Sequence, residues 1–235
     1  MTGQTRKYLS ATLCLFLAAQ TAAEAPAQSD VVPVEQEPRH RLALEDQYIR
    51  LFDVRVPPGD TTLYHTHQRD SIYIPISGTA NLVTQELGKA AKPLSIKPGD
   101  VAFAEHSKAS FTHRVSNLGT DEFHVIDIEL IATLKPTSVV GELPWGHQSI
   151  LENPQVRVSR IVLAPGQFVV GDSSPARKGI TVVLAGTRIG IRRDPGATQR
   201  SDVVLGQIYR RAELMSQEIH NEGSDRLELI SVEIK

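Results

Sequence analysis

From Tyr48 onward the chain is a succession of short apolar runs punctuated by turns. Ile49, Leu51, Val54 and Val56 precede a Pro57-Pro58-Gly59-Asp60 turn. Leu63 to His67 is followed by a polar turn at Gln68-Arg69-Asp70, and then by Ile72, Ile74 and Ile76, with Gly78 ending the run. Leu82-Val83, Leu94 to Ile96, a Lys97-Pro98-Gly99-Asp100 turn, Val101 to Ala104, Phe111 to Val115 and Phe123 to Leu130 continue the pattern. Short β-branched segments with a turn signal every eight to twelve residues or so predict an all-β sandwich or barrel.

The pattern then recurs. Glu45 to Gly59 reads EDQYIRLFDVRVPPG, and 107 residues later (45 to 152, 59 to 166) Glu152 to Gly166 reads ENPQVRVSRIVLAPG. Ser77-Gly78-Thr79 matches Ala185-Gly186-Thr187, and Asn117 to Asp121 (NLGTD) matches Asn221 to Asp225 (NEGSD). Three matches in order, at nearly constant offset, imply duplication of a whole domain. The predicted organisation is a first barrel over 43–134, a linker over 135–148 rich in Pro and Gly, and a second barrel over 149–235.

Composition adds the N-terminal reading. Arg6 and Lys7 precede an apolar stretch from Leu9 to Ala19 and small residues at Ala22, Ala23 and Ala25. That order predicts a signal peptide over 1–25, and hence an exported protein, periplasmic or secreted. The apolar run falls short of the roughly 20 residues of a membrane span, so no membrane partner is expected beyond export. Residues 26–42, with their Pro, Gln and Glu, read as a flexible leader. Cys14 is the single cysteine and lies in the signal region, so nitrogen and oxygen must supply any metal ligand. The formal net charge of −2 gives no electrostatic reason for a nucleic-acid partner.

His65 and His67 are two apart on a predicted strand, so both imidazoles face one side. Paired imidazoles hold Fe, Mn, Zn, Ni or Cu. His113 lies on a later strand and completes a candidate triad.

These residues carry a family resemblance. Gly59-x5-His65-x-His67 with Gly78 resembles the first motif of the cupins. Pro98-Gly99-Asp100, Phe103, His113-x3-Asn117 and Gly119 resemble the second. The resemblance is close over about 43–130 and looser over about 150–235, as in a double cupin (bicupin). It implies two tandem cupin-type barrels, jelly-roll-like double-stranded β-helices, with a divalent metal bound by His65, His67 and His113. The pattern is broken at one ligand: four residues after His67 stands Ser71, where the family has glutamate. The expectation is a three-histidine site with open positions for water or substrate, an arrangement some cupin dioxygenases use.

Tyr73 should share the interior face with Ser71, where it either orients a substrate or packs. His106 is a candidate general acid or base near the barrel mouth, or an exposed loop residue. In the second repeat His65 and His67 become Asp172 and Ser174, and Gln217 stands where His113 has its counterpart, so the ligands are lost there. Two functions fit these readings. One is a metal-dependent oxygenase, isomerase or hydrolase of a small organic molecule; the other is a non-catalytic small-molecule-binding or structural bicupin. A homodimer is expected from the family's habit of pairing through strands.

Overall fold

A computed structural model describes residues 31–78, 81–132, 143, 145–171, 178–193, 196–214 and 217–235. The expected signal peptide, 1–25, lies outside the described residues. The first unit contains β1 (Val31–Pro33), β2 (His40–Glu45), β3 (Ile49–Val56), β4 (Tyr64–His67), β5 (Ser71–Ser77), β6 (Leu82–Glu86), β7 (Lys92–Leu94), β8 (Ala102–Ala104), β9 (Phe111–Asn117) and β10 (Phe123–Leu130). They form two sheets, ordered β1-β4-β9-β6-β7 and β2-β3-β10-β5-β8. The second unit contains β11 (His147–Glu152), β12 (Val156–Leu163), β13 (Phe168–Val170), β14 (Lys178–Ala185), β15 (Arg188–Arg192), β16 (Thr198–Asp202), β17 (Ile208–Arg210), a one-turn helix at Arg211–Leu214, β18 (Glu218–Asn221) and β19 (Leu227–Ile234). Its sheets run β11-β12-β19-β14-β17 and β13-β18-β15-β16.

The two units repeat the same strand order, and β12 begins and ends 107 residues after β3. Matching turns confirm the duplication. Gly59 and Gly166 both hold positive φ, +77° and +76°, a conformation a side chain would strain. Asn117 Nδ2 donates to the carbonyls of Val56 and Asp121, and Gly119 N donates to Asn117 Oδ1. Asn221 makes the same three bonds, to Leu163, Asp225 and Gly223. Each unit is therefore a sandwich of two facing sheets, rather than a sheet closed on itself by continuous hydrogen bonding among the described residues.

The central strands β10 and β5 of the sheet β2-β3-β10-β5-β8 are buried on both faces. Ile72, Ile74, Ile126 and Ile128 point outward and pack against Val158, Val182, Ile230 and Val232 of the second unit in one apolar cluster. Tyr73 and Asp127, at alternate positions, face the interior of the first unit. Burial on both sides leaves nearly every residue of β5 and β10 buried, including Asp127 and Glu129. Polar contacts fix the contact's register: Gln155 Nε2 donates to Asp70 Oδ2 at 2.9 Å, and Arg160 Nη2 to the Gly99 carbonyl at 2.7 Å. His124 is buried, pairs with Asp53 at 2.6 Å and lies against Gly206 of the second unit, where a Cβ would come within 2.4 Å of its ring. It is a packing residue.

Two sequence expectations need correction. Residues 31–42 do not form a flexible leader. Val31 to Pro33 pair in parallel with Tyr64 to Thr66, Val34 is buried in the first unit's core, and His40 opens β2. Pro and Glu suggested disorder, but the valines bury apolar area and the carboxylate of Glu37 is fully hydrogen-bonded. The linker expected over 135–148 also ends early, because His147 and Gln148 already pair with Ile161 and Arg160. Residues 133–142 and 144 lie outside the described residues.

Asn117 is fully buried and satisfies three backbone groups. Asn117→Ala is expected to lower stability by about 2–4 kcal/mol, since each orphaned buried group costs about 1–3 kcal/mol. Asn221→Ala should cost a similar amount. The shared apolar cluster predicts that either change shifts a single transition in urea unfolding followed by circular dichroism, without creating a second.

Candidate metal centre

Strand β4 carries His65 and His67 into the interior of the first unit, and β9 brings His113 beside them, with His65 paired directly opposite His113. The Nε2 atoms of His67 and His113 lie 3.2 Å apart, and the rings of His65 and His113 are 4.6 Å apart. The three sequence-predicted ligands thus share one site. A fourth imidazole joins them from the opposite sheet. His40, at the start of β2, has its ring 4.5 Å from that of His65, and the ligand atoms of His40, His65 and His67 lie within 4.8 Å of one another.

The ring nitrogens facing away from this centre are engaged. His65 Nδ1 donates to the Leu63 carbonyl at 2.9 Å, leaving Nε2 with its lone pair, buried and without a partner. His113 Nδ1 meets Thr84 Oγ1 at 3.2 Å, and His40 Nδ1 meets Glu37 Oε2 at 2.7 Å. His67 Nδ1 lies 3.4 Å from the Tyr73 hydroxyl and 3.7 Å from Asp127. Outer partners of this kind fix the tautomer and orientation of metal-binding imidazoles. A convergence of buried nitrogens, one of them orphaned, fits a divalent cation; as a purely structural cluster it would leave that nitrogen unsatisfied.

Electrostatics keeps the site ready for a cation. Burial, reinforced by the neighbouring His40, lowers the His65 pKa to about 4. Burial and then His65 lower His113 to about 2, and burial with the charges of His65 and His113 drives His67 down further. All three are therefore neutral imidazoles at neutral pH. Burial pushes the Glu37 carboxyl up, but the hydrogen bond and electrostatic proximity of the His40 ring and the amides of Arg39 and Leu63 outweigh it, so the group is held below its usual range and stays ionised. Asp127 behaves in the opposite way: burial, then Glu129, raises its pKa well above the usual carboxyl range.

The site opens into a cavity of about 300 Å³. Val54, Val56, Ile96, Phe111, Val115 and Val125 are among the apolar residues of its wall, and no Lys or Arg lines it among the described residues. Tyr73 and His106 both reach it. The Tyr73 hydroxyl lies 3.0 Å from His106 Nε2, and the His106 ring stacks on Phe111 at 5.6 Å. Burial lowers the His106 pKa, an effect partly offset by Asp70. Burial, then Asp127, raises that of Tyr73. Asp70 anchors the turn that carries His106, because its Oδ1 accepts from Ser107 N at 2.9 Å. Neither Asp70 nor Ser71 replaces the family's glutamate: Asp70 is occupied by Ser107 and Gln155, and Ser71 Oγ donates to the Arg69 carbonyl.

No family model and no curated protein matches the chain. Solved structures do. AerE from Microcystis aeruginosa superposes with a TM-score of 0.53 at 17% identity, covering 85% of this chain and 98% of that one. A Bacillus subtilis oxalate decarboxylase gives 0.52 at 11% identity, covering 80% and 69%. A cupin 2 conserved barrel domain protein from Leptotrichia buccalis gives 0.50 at 11% identity, covering 82% and 86%. The chain has the double-cupin fold.

Within that fold only the first cupin unit assembles a histidine centre among the described residues. In the second unit Gln217 occupies the place of His113, and Asp172 and Ser174, the counterparts of His65 and His67, lie outside the described residues. Sequence reasoning missed His40, Glu37 and Asp127. The available signal for His40 was the repeat itself: His147 stands 107 residues after it, five residues upstream of the matched segment.

The neutral imidazoles predict a pH dependence with a definite sign. In the unfolded chain histidine takes up a proton near the ordinary value of 6.5, whereas His65 in the fold does so only near 4. Between these values the unfolded state binds more protons, so stability falls as the pH falls. The thermal midpoint of metal-free protein should decline from about pH 6.5 to 4, and more shallowly in a His113→Gln variant. A parallel decline in both would show that other groups dominate.

Proposed function

We propose that the protein is an exported, periplasmic or secreted metal-dependent cupin, acting on a small organic molecule with an apolar body and one oxygen donor group. The observation that carries this reading is the convergence of His65, His67 and His113 on the floor of an apolar cavity, with each outward-facing nitrogen already engaged. Bound there, Fe, Mn, Zn, Ni or Cu would supply Lewis-acid or redox chemistry. That chemistry suits an oxygenase, isomerase or hydrolase.

The chain's own residues divide the remaining work. Val54, Phe111 and Val125 exclude water from the substrate body. Tyr73 and His106, 3.0 Å apart, form a hydrogen-bonded pair on the cavity wall that can hold or pass a proton at the Tyr73 oxygen. The second unit supports that pair, since Gln155 grips the Asp70 carboxylate that anchors the His106 turn.

Bacillus subtilis oxalate decarboxylase is among the structural neighbours, and one of its structures is named for its Mn(II) centres. Its substrate does not suit this cavity. A dicarboxylate could place one end at the metal, but the other would face apolar wall, Asp100 and Asp127, without a cation. A cavity of about 150 Å³ takes benzene, so this one has room for a body roughly twice that size. The alternative, a non-catalytic binding module, is favoured by the same wall if the ligand is held without turnover. A homodimer remains part of the proposal.

The test is elemental analysis of untagged protein beside a His65→Ala/His67→Ala variant, followed by calorimetry on the metal-loaded form. Near-stoichiometric metal in the wild type alone is expected. An aromatic monocarboxylate should bind at least 10-fold more tightly than oxalate. Absence of metal after reconstitution would overturn the metal reading, and tighter oxalate binding would overturn the substrate class.

A further inference from the structure

We infer that His40 is a fourth ligand of the metal centre, in place of the carboxylate that the cupin pattern puts four residues after His67. Metal binding would then lock the arm from Val31 to Glu45 onto the first unit. The inference rests on the metal reading above and extends it to a part of the chain outside both cupin motifs.

Three observations converge on His40. Its ligand atom lies within 4.8 Å of those of both His65 and His67. Its Nδ1 is spoken for by Glu37, so Nε2 is the nitrogen left for a metal. Glu37 itself is a buried carboxylate whose oxygens accept from the amides of Arg39, His40 and Leu63 and from the His40 ring. A carboxylate behind an imidazole orients the ring and raises its basicity as a ligand.

The usual carboxylate position is closed. Ser71 is buried with its hydroxyl turned to the Arg69 carbonyl, and the Asp70 carboxylate is taken up by Ser107 and Gln155. His40 enters from the other side. His65, His67 and His113 stand on the sheet containing β4 and β9, whereas His40 stands on β2 of the facing sheet. An ion shared among them would bridge the two sheets of the sandwich.

The arm is built for this role. Val31 to Pro33 pair with β4 in parallel, with Val32 opposite His65, so the arm lies against the ligand strand. Val34 is buried, and Arg39 pairs with Asp60. Docking of the arm delivers His40, and a metal that binds His40 must stabilise the docked arm by the same free energy.

Zn(II) binding by chelator competition, on the full mature chain, tests the inference. His40→Gln should weaken Zn(II) at least 100-fold, and Glu37→Gln about 10–100-fold, the range typical of outer partners. Amide exchange over residues 39–45 should slow on Zn(II) addition in the wild type and not in His40→Gln. Ring-nitrogen NMR of Zn(II)-loaded wild type needs no variant, and should show the Nε2 signals of His40, His65, His67 and His113 all shifted by the metal. If His40 Nε2 keeps the signal of a free neutral imidazole, or His40→Gln binds Zn(II) within threefold of wild type while His65→Ala/His67→Ala does not bind, His40 is not a ligand and the metal reading survives. If the wild type takes up no Zn(II), both fall.

Discussion

The contact between the two units is the constraint on which the rest of the structure depends. Ile72, Ile74, Ile126 and Ile128 are held against Val158, Val182, Ile230 and Val232. Because β-strand side chains alternate, fixing one face of β5 and β10 fixes the other. Tyr73 and Asp127 occupy that other face, and their positions in the cavity follow from apolar packing on the far side of the sheet. A cupin unit standing alone would present this sheet to water as a large apolar patch. The second unit, without a histidine centre among its described residues, therefore still determines the geometry of the first.

The interior is built to hold nitrogen in its neutral form. Close imidazoles in a desolvated space cannot share much positive charge, so burial and mutual repulsion together keep His65, His67 and His113 unprotonated. Such a cluster costs stability unless its lone pairs find a partner, and a divalent cation is the partner whose chemistry matches. The polar groups around it sort by sign. Glu37 remains ionised because it is surrounded by donors, whereas at Asp127 burial and the nearby Glu129 outweigh the Ser71 hydroxyl and push the carboxyl toward its neutral form. Two buried carboxyls beside the histidine cluster, Glu37 against His40 and Asp127 near His67, thus take opposite charge states.

Much of this was legible in the sequence, and what was not has a physical cause. Turn chemistry at Pro57-Pro58-Gly59 and Lys97-Pro98-Gly99, with the period of two, marks the strands locally. The spacing of His65 and His67 shows that both face one side. His113 is readable because its motif is also local. His40 was obscure because its neighbourhood, rich in Pro, Glu and Arg, resembles a solvated leader. Its order comes from partners far along the chain, β4 for Val31 to Pro33 and Leu63 for Glu37. The Gln155–Asp70–Ser107 chain was equally hidden, since it joins residues 85 positions apart through a domain contact no local pattern encodes.

The duplication shows which features belong to the scaffold and which to the site. Asn117 and Asn221 make the same bonds in both units, as do the amides of Gly59 and Gly166 with the carbonyls of those two asparagines. These contacts recur in both units. The cavity-facing positions do not recur: His113 gives way to Gln217. His147 keeps the place of His40 on the matching strand, but there it meets Ser159 at 3.3 Å, where His40 meets Glu37. A histidine at that strand start is thus compatible with the fold in either setting. What distinguishes the first unit is the company it keeps, with Glu37 behind the ring and two further imidazoles in front of it. The chemistry of the site is a property of that grouping across two sheets, and the fold supplies only the places.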